Sequence, residues 1–171
     1  MAHALLVGPP AASRERASLL DWLLDARNDE RPWLSFHQGV AVETFRFCDT
    51  APLAQRWARA LSEQGVGFGD RVAVFFPNGR DFIGAFFGAQ WLGATAIPVP
   101  WPATSLAADL PASAKLLLET CRAKVVCAPA HAQGLGWPVV SAPATEPIDD
   151  SSREGDAAFI QFSSGSTGRP R

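Results

Sequence analysis

The residues best suited to chemistry lie at the end of the chain, in residues 159–171, which read FIQFSSGSTGRPR. An apolar run typical of a β-strand leads directly into a loop of hydroxyl and glycine residues: Ser163, Ser164, Gly165, Ser166, Thr167 and Gly168. Hydroxyls and consecutive backbone N–H groups can converge on an anion, and glycine lets the backbone come close to it. Arg171 adds a permanent positive charge. The segment is therefore predicted to bind phosphate.

The glycine spacing of this loop differs from that of the Walker A loop. Walker A requires four residues between its first glycine and a Gly-Lys-Ser/Thr run, whereas two residues separate Gly165 from Gly168. By composition alone, a Ser/Gly-rich segment is also typical of a flexible tail. Both interpretations remain open on these residues alone.

Composition indicates a globular domain. A chain of 171 residues with 47% hydrophobic residues, six Trp and eleven Phe can form one domain with a substantial core. The formal net charge of −2 predicts no basic surface for nucleic acid. The N-terminus lacks a cationic signal-peptide region, and the apolar residues 82–99 are interrupted by glycines, Gln90 and Pro98. We expect two soluble elements there and no membrane span.

Neither the cysteines nor the histidines form a ligand pattern. The three cysteines contain no CxxC pair: Cys48, Cys121 and Cys127. We interpret them as buried free thiols in a reducing cytoplasm. The histidines are widely separated and are interpreted as structural or surface residues: His3, His37 and His131. No metal site is predicted.

The first third of the chain predicts a helix, a hairpin and a second helix. Ser13 is the expected N-cap of a helix that ends near Asn28, and residues 33–36 and 40–47 predict two strands joined across Gly39. Asp49 or Thr50 is expected to cap the next helix, with Pro52 in its first turn. In that helix Leu53, Trp57 and Leu61 form the packed face, and the opposite face carries these charged residues: Arg56, Arg59 and Glu63.

The middle of the chain predicts a β-α-β unit with parallel strands and a right-handed crossover. Strands are expected over residues 71–76 and 94–99, on either side of a helix over 81–92. The inward-facing residues of that helix are expected to be the large ones: Phe82, Ile83, Phe86, Phe87 and Trp91. A further helix from Pro111 and strands at 124–127 and 137–140 follow, and residues 143–155 predict a solvated acidic linker. The fold class is α/β, a largely parallel sheet flanked by helices with an N-terminal hairpin.

Three motifs resemble those of the adenylate-forming superfamily, which includes acyl-CoA synthetases, fatty acyl-AMP ligases and peptide-synthetase adenylation domains. Residues 163–171 resemble its phosphate-binding loop at every position except the last, where Arg171 replaces the usual Lys. Residues 69–74 with Pro77 and Asn78 resemble an early strand and turn of the family. Residues 92–99 are similar to its Ala-Gly-x-x-x-x-Pro motif, with Leu92 in place of Ala. The sequence after Val99 is somewhat more similar to fatty acyl-AMP ligases.

The resemblance implies a ligase that uses ATP and Mg²⁺ to convert a carboxylic acid, here a fatty acid, into an acyl-adenylate. The acyl group then passes to the thiol of CoA or of a carrier protein. In the family this loop contacts the β- and γ-phosphates of ATP. The resemblance therefore implies the following ATP-binding residues: Ser163, Ser164, Gly165, Ser166, Thr167, Gly168 and Arg171. No residue of the chain is assigned a catalytic role.

The family comparison also predicts the domain organisation. Residues 1–171 are expected to be the N-terminal portion of an AMP-binding domain that ends after the phosphate loop, by gene truncation, proteolysis or design, and to be inactive alone. Homodimerisation through the exposed surface is expected. A stand-alone binding module without catalysis is the alternative. An unrelated doubly wound nucleotide-binding domain is disfavoured because no GxGxxG follows a strand.

Overall fold

The computed structural model of the chain describes residues 18–100, 112–132, 136–149 and 157–162. Its helices are α1 (Leu19–Asp25), α2 (Phe47–Glu63), α3 (Arg80–Trp91) and α4 (Ala112–Cys121), with a short 3₁₀ turn at Ala130–Ala132. Its strands are β1 (Pro32–Gln38), β2 (Ala41–Arg46), β3 (Arg71–Val74), β4 (Thr95–Pro98), β5 (Val125–Cys127) and β6 (Val139–Val140). The α/β class predicted from the sequence is confirmed.

Helix α1 begins later than the sequence predicted. Ser18 has an extended backbone and accepts a hydrogen bond from the Asp21 N–H at 3.3 Å, while the Asp21 carboxylate accepts one from the Ser18 N–H at 2.9 Å. This reciprocal pair satisfies two N–H groups that the helix end would leave free, so Ser18 is the N-cap. The predicted cap, Ser13, lies outside the described residues. The helix also ends at Asp25, short of Asn28.

The predicted hairpin is present as the antiparallel pair β1 and β2. Gly39 lies in the turn with φ of 62°, a left-handed conformation that favours glycine. Helix α2 follows without a break, so the prediction that Asp49 or Thr50 caps it was wrong. Asp49 is instead inside the first turn and accepts a hydrogen bond from the Arg46 N–H at 3.1 Å, and Pro52 lies in the second turn.

Four parallel strands form the main sheet in the order β4-β3-β5-β6. Alternate side chains of β3 point to opposite faces, as a strand requires. Val72 and Val74 belong to one core cluster with α2 and α3, whereas Ala73 belongs to a second cluster with α4. The sheet is therefore covered by helices on both faces, which explains its continuous apolar strands.

Helices α2 and α3 approach each other closely through glycine rather than through large side chains. A Cβ on Gly84 would lie 2.3 Å from Cδ1 of Trp57, and a Cβ on Gly88 would lie 2.6 Å from Cβ of Trp57. Trp57 and Trp91 are fully buried. The large residues of α3 that were predicted to face inward do pack against the core, but only Trp91 is fully buried and the other four are partly buried: Phe82, Ile83, Phe86 and Phe87.

The segment predicted to be a solvated linker is attached to α2 over the part that the structure describes. The Ala144 N–H donates to the Arg56 carbonyl at 3.1 Å, and the Ile148 N–H donates to the Gln55 carbonyl at 3.3 Å. Ile148 packs against a cluster that includes Leu20. Residues 144 and 148 are therefore hydrogen-bonded to the middle of α2, which corrects the prediction of a free linker for this part of residues 143–155.

Candidate functional site

The backbone that leads into the predicted phosphate loop forms an edge of the parallel sheet. Phe159 pairs with Ala96 of β4 in the parallel sense. The Ala96 N–H donates to the Ala158 carbonyl at 3.1 Å, and the Ile160 N–H donates to the Ala96 carbonyl at 2.9 Å. Because this segment runs parallel to β4, the chain leaves it at the carboxyl ends of the strands.

Side chains on both faces fix this edge segment. Ile160 and Phe162 pack against the cluster on the α4 face of the sheet. On the opposite face the Phe159 ring lies 5.7 Å from the Phe86 ring, and 44% of Phe159 remains exposed. The seven residues predicted to bind phosphate lie outside the described residues: Ser163, Ser164, Gly165, Ser166, Thr167, Gly168 and Arg171. The structure describes the support of the loop as far as Phe162.

The strand order creates a switch point between β3 and β5. From β3 the chain passes through α3 to β4 on one side, and from β4 it passes back through α4 to β5 on the other side of β3. Helices α3 and α4 consequently cover opposite faces of the sheet. In open parallel sheets, ligands bind outside the carboxyl ends of the strands at such a point. The edge segment that precedes the sequence-predicted loop reaches the same carboxyl end of the sheet as this ligand position, with β4 and β3 between them.

A polar cavity of about 510 Å³ opens at the carboxyl end of β3. Its lining residues come from β2, α2, the turn after β3, the start of α3 and Pro143: Glu43, Leu53, Arg56, Phe76, Pro77, Asn78, Gly79, Arg80, Asp81 and Pro143. Arg80 Nε lies 3.3 Å from Glu43 Oε1, and its guanidinium carbon lies 5.5 Å from the centre of the Phe45 ring. This ion pair joins the hairpin to the start of α3.

Arg56 is the residue at this cavity whose role the sequence did not indicate. Its Nε is buried and has no hydrogen-bond partner among the described residues. The periodicity of α2 assigned Arg56 to the exposed face with Arg59 and Glu63, but Arg56 is half-buried. Helical spacing could not show this, because segment 143–149 covers that part of α2 from a distant point in the chain.

Burial also perturbs an acid at the same cavity. Partial burial raises the pKa of the Asp81 carboxyl above its usual value, and the positive charge of Arg80 opposes this only in part. The negative charge of Glu43 adds to the rise. Ionisation of the Asp81 carboxyl is consequently less favourable than that of an exposed aspartate.

The other candidate residues of the sequence do not assemble into a site in the described part of the chain. Cys121 and Cys127 are buried free thiols, as predicted, and burial raises the pKa of both. Cys48 is only partly buried, and His37 and His131 are exposed. Residues 18–100, 112–132, 136–149 and 157–162 contain no group of three metal-binding side chains and no helix long and apolar enough to cross a membrane.

Comparison with known proteins identifies a family model and relatives that match this chain. The family model described as "AMP-binding enzyme" matches residues 26–171. The long-chain-fatty-acid–CoA ligase FadD13 of Mycobacterium tuberculosis is 30% identical over 176 residues, which covers 89% of this chain and 34% of the relative.

Solved structures show the same fold. The fatty acyl-adenylate ligase from L. pneumophila, in complex with acyl adenylate and pyrophosphate, superposes with a TM-score of 0.68 at 23% identity, over 87% of this chain and 29% of that one. An adenylation domain of a keto acid-selecting NRPS module gives a TM-score of 0.76 at 19% identity, over 91% of this chain and 31% of that one. The chain thus spans about a third of the length of these relatives.

Proposed function

The chain belongs to the AMP-binding enzyme family, and on that basis we propose that it forms part of a ligase that activates a carboxylic acid as an acyl-adenylate. The observation that carries the proposal is the parallel pairing of Phe159 with Ala96, because it directs the described segment 157–162 toward the carboxyl ends of the strands just before residue 163. The switch point between β3 and β5 lies at the same carboxyl end of the sheet.

In the proposed reaction, a carboxylate oxygen attacks the α-phosphorus of ATP. The bond from that phosphorus to the oxygen bridging to the β-phosphate breaks, and pyrophosphate leaves with the electron pair. No protein nucleophile is needed, so the chain contributes by positioning charge and hydrogen-bond donors. The hydroxyls and N–H groups of residues 163–168 hold the β- and γ-phosphates, and Arg171 balances the charge of the departing pyrophosphate.

Mg²⁺ bound to the phosphates would neutralise part of their charge in this reaction. The part of the chain that the structure describes supplies no cluster of metal-binding side chains, so no residue of it is assigned to the ion. The contribution of this chain to ATP binding is therefore proposed to be the phosphate loop and the sheet edge that carries it.

We propose a fatty acid as the carboxylate. The support is the relative from Mycobacterium tuberculosis, whose name describes a long-chain-fatty-acid–CoA ligase. The acceptor of the acyl group would be a thiol, that of CoA or of a carrier protein. Since the 171 residues correspond to about a third of each relative, we propose that residues 1–171 are one portion of the adenylating domain and do not complete the reaction alone.

Measurement of ATP affinity tests the role of the loop. Charge-assisted hydrogen bonds contribute roughly 1.5–3 kcal/mol each, while ordering each loop residue costs roughly 1–2 kcal/mol, so the two sums nearly cancel. We expect the 171-residue chain to bind ATP with a dissociation constant of about 1 mM or weaker. Arg171→Gln should weaken binding about tenfold, because one charge-assisted contact is lost.

Arg27→Gln is the matched control, because Arg27 is an exposed arginine next to α1 and distant in sequence from the loop. Titration with ATP followed by ¹H–¹⁵N NMR measures all three affinities. Micromolar binding would show that the 171 residues complete the site, and equal affinities for Arg171→Gln and Arg27→Gln would remove Arg171 from it.

A further inference from the structure

We propose that an apolar groove beside α1, the α1 groove, binds residues 4–7 of the same chain, which read ALLV. The groove has a volume of about 530 Å³ and lies between α1, the starts of β1 and α2, and α3. Its apolar lining comes from all four of these elements: Leu19, Trp22, Leu23, Trp33, Phe47 and Phe87. The α1 groove shares no lining residue with the polar cavity at the carboxyl end of β3.

Helix α1 carries more apolar surface than its core contacts use. Leu20 and Leu23 are buried in a cluster with α2 and α3. Leu19 and Trp22 form a neighbouring stripe at i and i+3, and they remain 39% and 60% exposed. A helix that is apolar around this much of its circumference is normally buried, and exposed apolar side chains that line one concave surface mark a binding site.

The wall of the groove opposite α1 is preformed. The Trp33 and Phe47 rings stack with their centres 5.1 Å apart, which joins the start of β1 to the start of α2. The Phe47 N–H donates to the Arg31 carbonyl at 3.2 Å, and the Cys48 N–H donates to the Asp29 carbonyl at 2.9 Å. These bonds fix the aromatic wall relative to the segment that follows α1, so a ligand can bind without rearranging it.

The charges at the rim favour an uncharged ligand. Asp29 and Arg31 line the groove and satisfy each other, with Arg31 Nε 3.0 Å from both carboxylate oxygens of Asp29. Asp25, a further charged residue of the lining, is exposed to water. A charged ligand would have to displace the bonds between Asp29 and Arg31, whereas an apolar peptide gains burial without that loss.

Residues 1–17 supply an apolar peptide that is attached next to the groove. They lie outside the described residues and join α1 at Ser18, one residue before Leu19 in the groove wall. Within them, residues 4–7 are uncharged and carry three large aliphatic side chains. The family model matches the chain from residue 26, so residues 1–17 precede the matched region. The proposed contact is therefore independent of the proposed ligase activity.

The connecting residues are long enough to bring residues 4–7 back to the groove. Ten residues, 8–17, separate Val7 from Ser18, and fully extended they span at most about 35 Å. Helix α1 has seven residues and is about 10 Å long. Residues 8–10, Gly-Pro-Pro, are of the types that mark a change of chain direction. Docking of residues 4–7 along α1 would cover Leu19 and Trp22.

The test is a ¹³C-edited NOESY experiment on the 171-residue chain. We expect NOEs from the methyl groups of Leu5, Leu6 and Val7 to the ring protons of Trp22 and Phe87. In a mixture of labelled and unlabelled chains, isotope-filtered NOEs report contacts between copies, and we expect none there. Absence of the NOEs from the uniformly labelled chain would overturn the proposal. Their appearance in the filtered mixture would assign the groove to a second copy and would also overturn it.

A charge within the segment should prevent docking. Leu6→Asp should lower the intensity of the NOEs from Leu5 and Val7 to Trp22 at least tenfold, because a buried carboxylate would lack a partner. Ala2→Asp is the matched control, since it adds the same charge outside residues 4–7 and should leave the intensity unchanged. An equal loss in both variants would contradict a specific contact of residues 4–7.

A variant on the groove side makes the test independent of changes in the segment. Trp22→Ser should remove the NOEs to Phe87, and unchanged amide shifts at Val72 and Val126 verify that the core remains folded. Phe68→Ser is its control, because Phe68 is 53% exposed and lies outside the groove lining. Retention of the NOEs in Trp22→Ser, or their equal loss in Phe68→Ser, would overturn the proposal. Residues 163–171 are unchanged in every variant, so the ATP experiment stands apart from this one.

Discussion

At the scale of single residues, the contact between Gly84 and Trp57 determines how closely α2 and α3 pack. The ring atoms Cδ1 and Nε1 of Trp57 occupy the space that a side chain on Gly84 would need, at 2.3 Å and 2.6 Å from an ideal Cβ. Both positions are inside the core, where the surrounding residues have little freedom to move. Gly84 is therefore required by packing rather than by a special backbone angle.

Gly84→Ala is expected to destabilise the chain by about 2 kcal/mol. Overpacking destabilises a protein by roughly 1–3 kcal/mol, and we expect a value at or above the upper end here. The higher helix propensity of Ala stabilises the helix by about 1 kcal/mol, which offsets part of that loss. Urea unfolding at neutral pH measures the difference. Gly67→Ala is the control, because nothing lies within 4 Å of its added Cβ. Equal stability of Gly84→Ala and the unchanged chain would show that α2 and α3 can separate without cost.

Residue patterns alone predicted the packed face of α2, but that of α3 only in part. Leu53, Trp57 and Leu61 recur at helical spacing and are buried as expected. In α3 the pattern favoured the phenylalanines, whereas Gly84 and Gly88 contact Trp57. The size of the partner residue decides which face is buried, and that partner belongs to another helix. Local sequence does not contain this information.

At the scale of elements, Lys124 links the start of β5 to the end of α2 and to the start of β3, at the amino end of the sheet. Its Nζ donates to the Gly65 carbonyl after α2 and to Asp70 Oδ2 before β3, both at 2.7 Å. Asp70 also accepts a hydrogen bond from the Gly67 N–H at 2.9 Å. Burial acts to raise the pKa of Asp70, but the bonds from Lys124 and Gly67 prevail and hold it below its usual value.

Lys124→Met should reduce stability by about 1 kcal/mol at pH 7, a modest value because both side chains are partly exposed. The folded-state pKa of Asp70 is depressed, so the stability from this pair is present above the ordinary pKa of 3.8 and is lost as pH falls through the lower folded value. Urea unfolding from pH 7 to pH 2 should show that the free energies of unfolding of the unchanged chain and of Lys124→Met converge at low pH. A difference that is independent of pH would exclude the ion pair as its cause.

Element order was largely predictable, and element ends were less so. The apolar runs of β3 and β4 around α3 indicated a parallel unit, which is present. The start of α2 was misplaced because Asp49, a frequent N-cap type, acts here from inside the first turn. The position of residues 143–149 depends on a distant contact with α2, which no local pattern encodes.

At the scale of the whole molecule, the sheet gathers its ligand-facing features at one end. The carboxyl ends carry the switch point, the polar cavity at the end of β3 and the segment that leads to the phosphate loop. The amino ends carry the Lys124 pair and the connection from α2. The sequence motif indicated the chemistry of the loop, but the edge that supports it became apparent from the pairing of Phe159 with Ala96.

The most direct test of this account is the position of bound nucleotide relative to the two ends of the sheet. Mn²⁺·ATP broadens the NMR signals of nearby amides, and Mn²⁺ alone is the control. We predict selective broadening at residues 160–162 and at Val99, with sharp signals at Asp70, Arg71 and Lys124 at the opposite end. Broadening at the amino end, or none beyond that caused by Mn²⁺ alone, would contradict the proposal that residues 163–171 bind the phosphates of ATP.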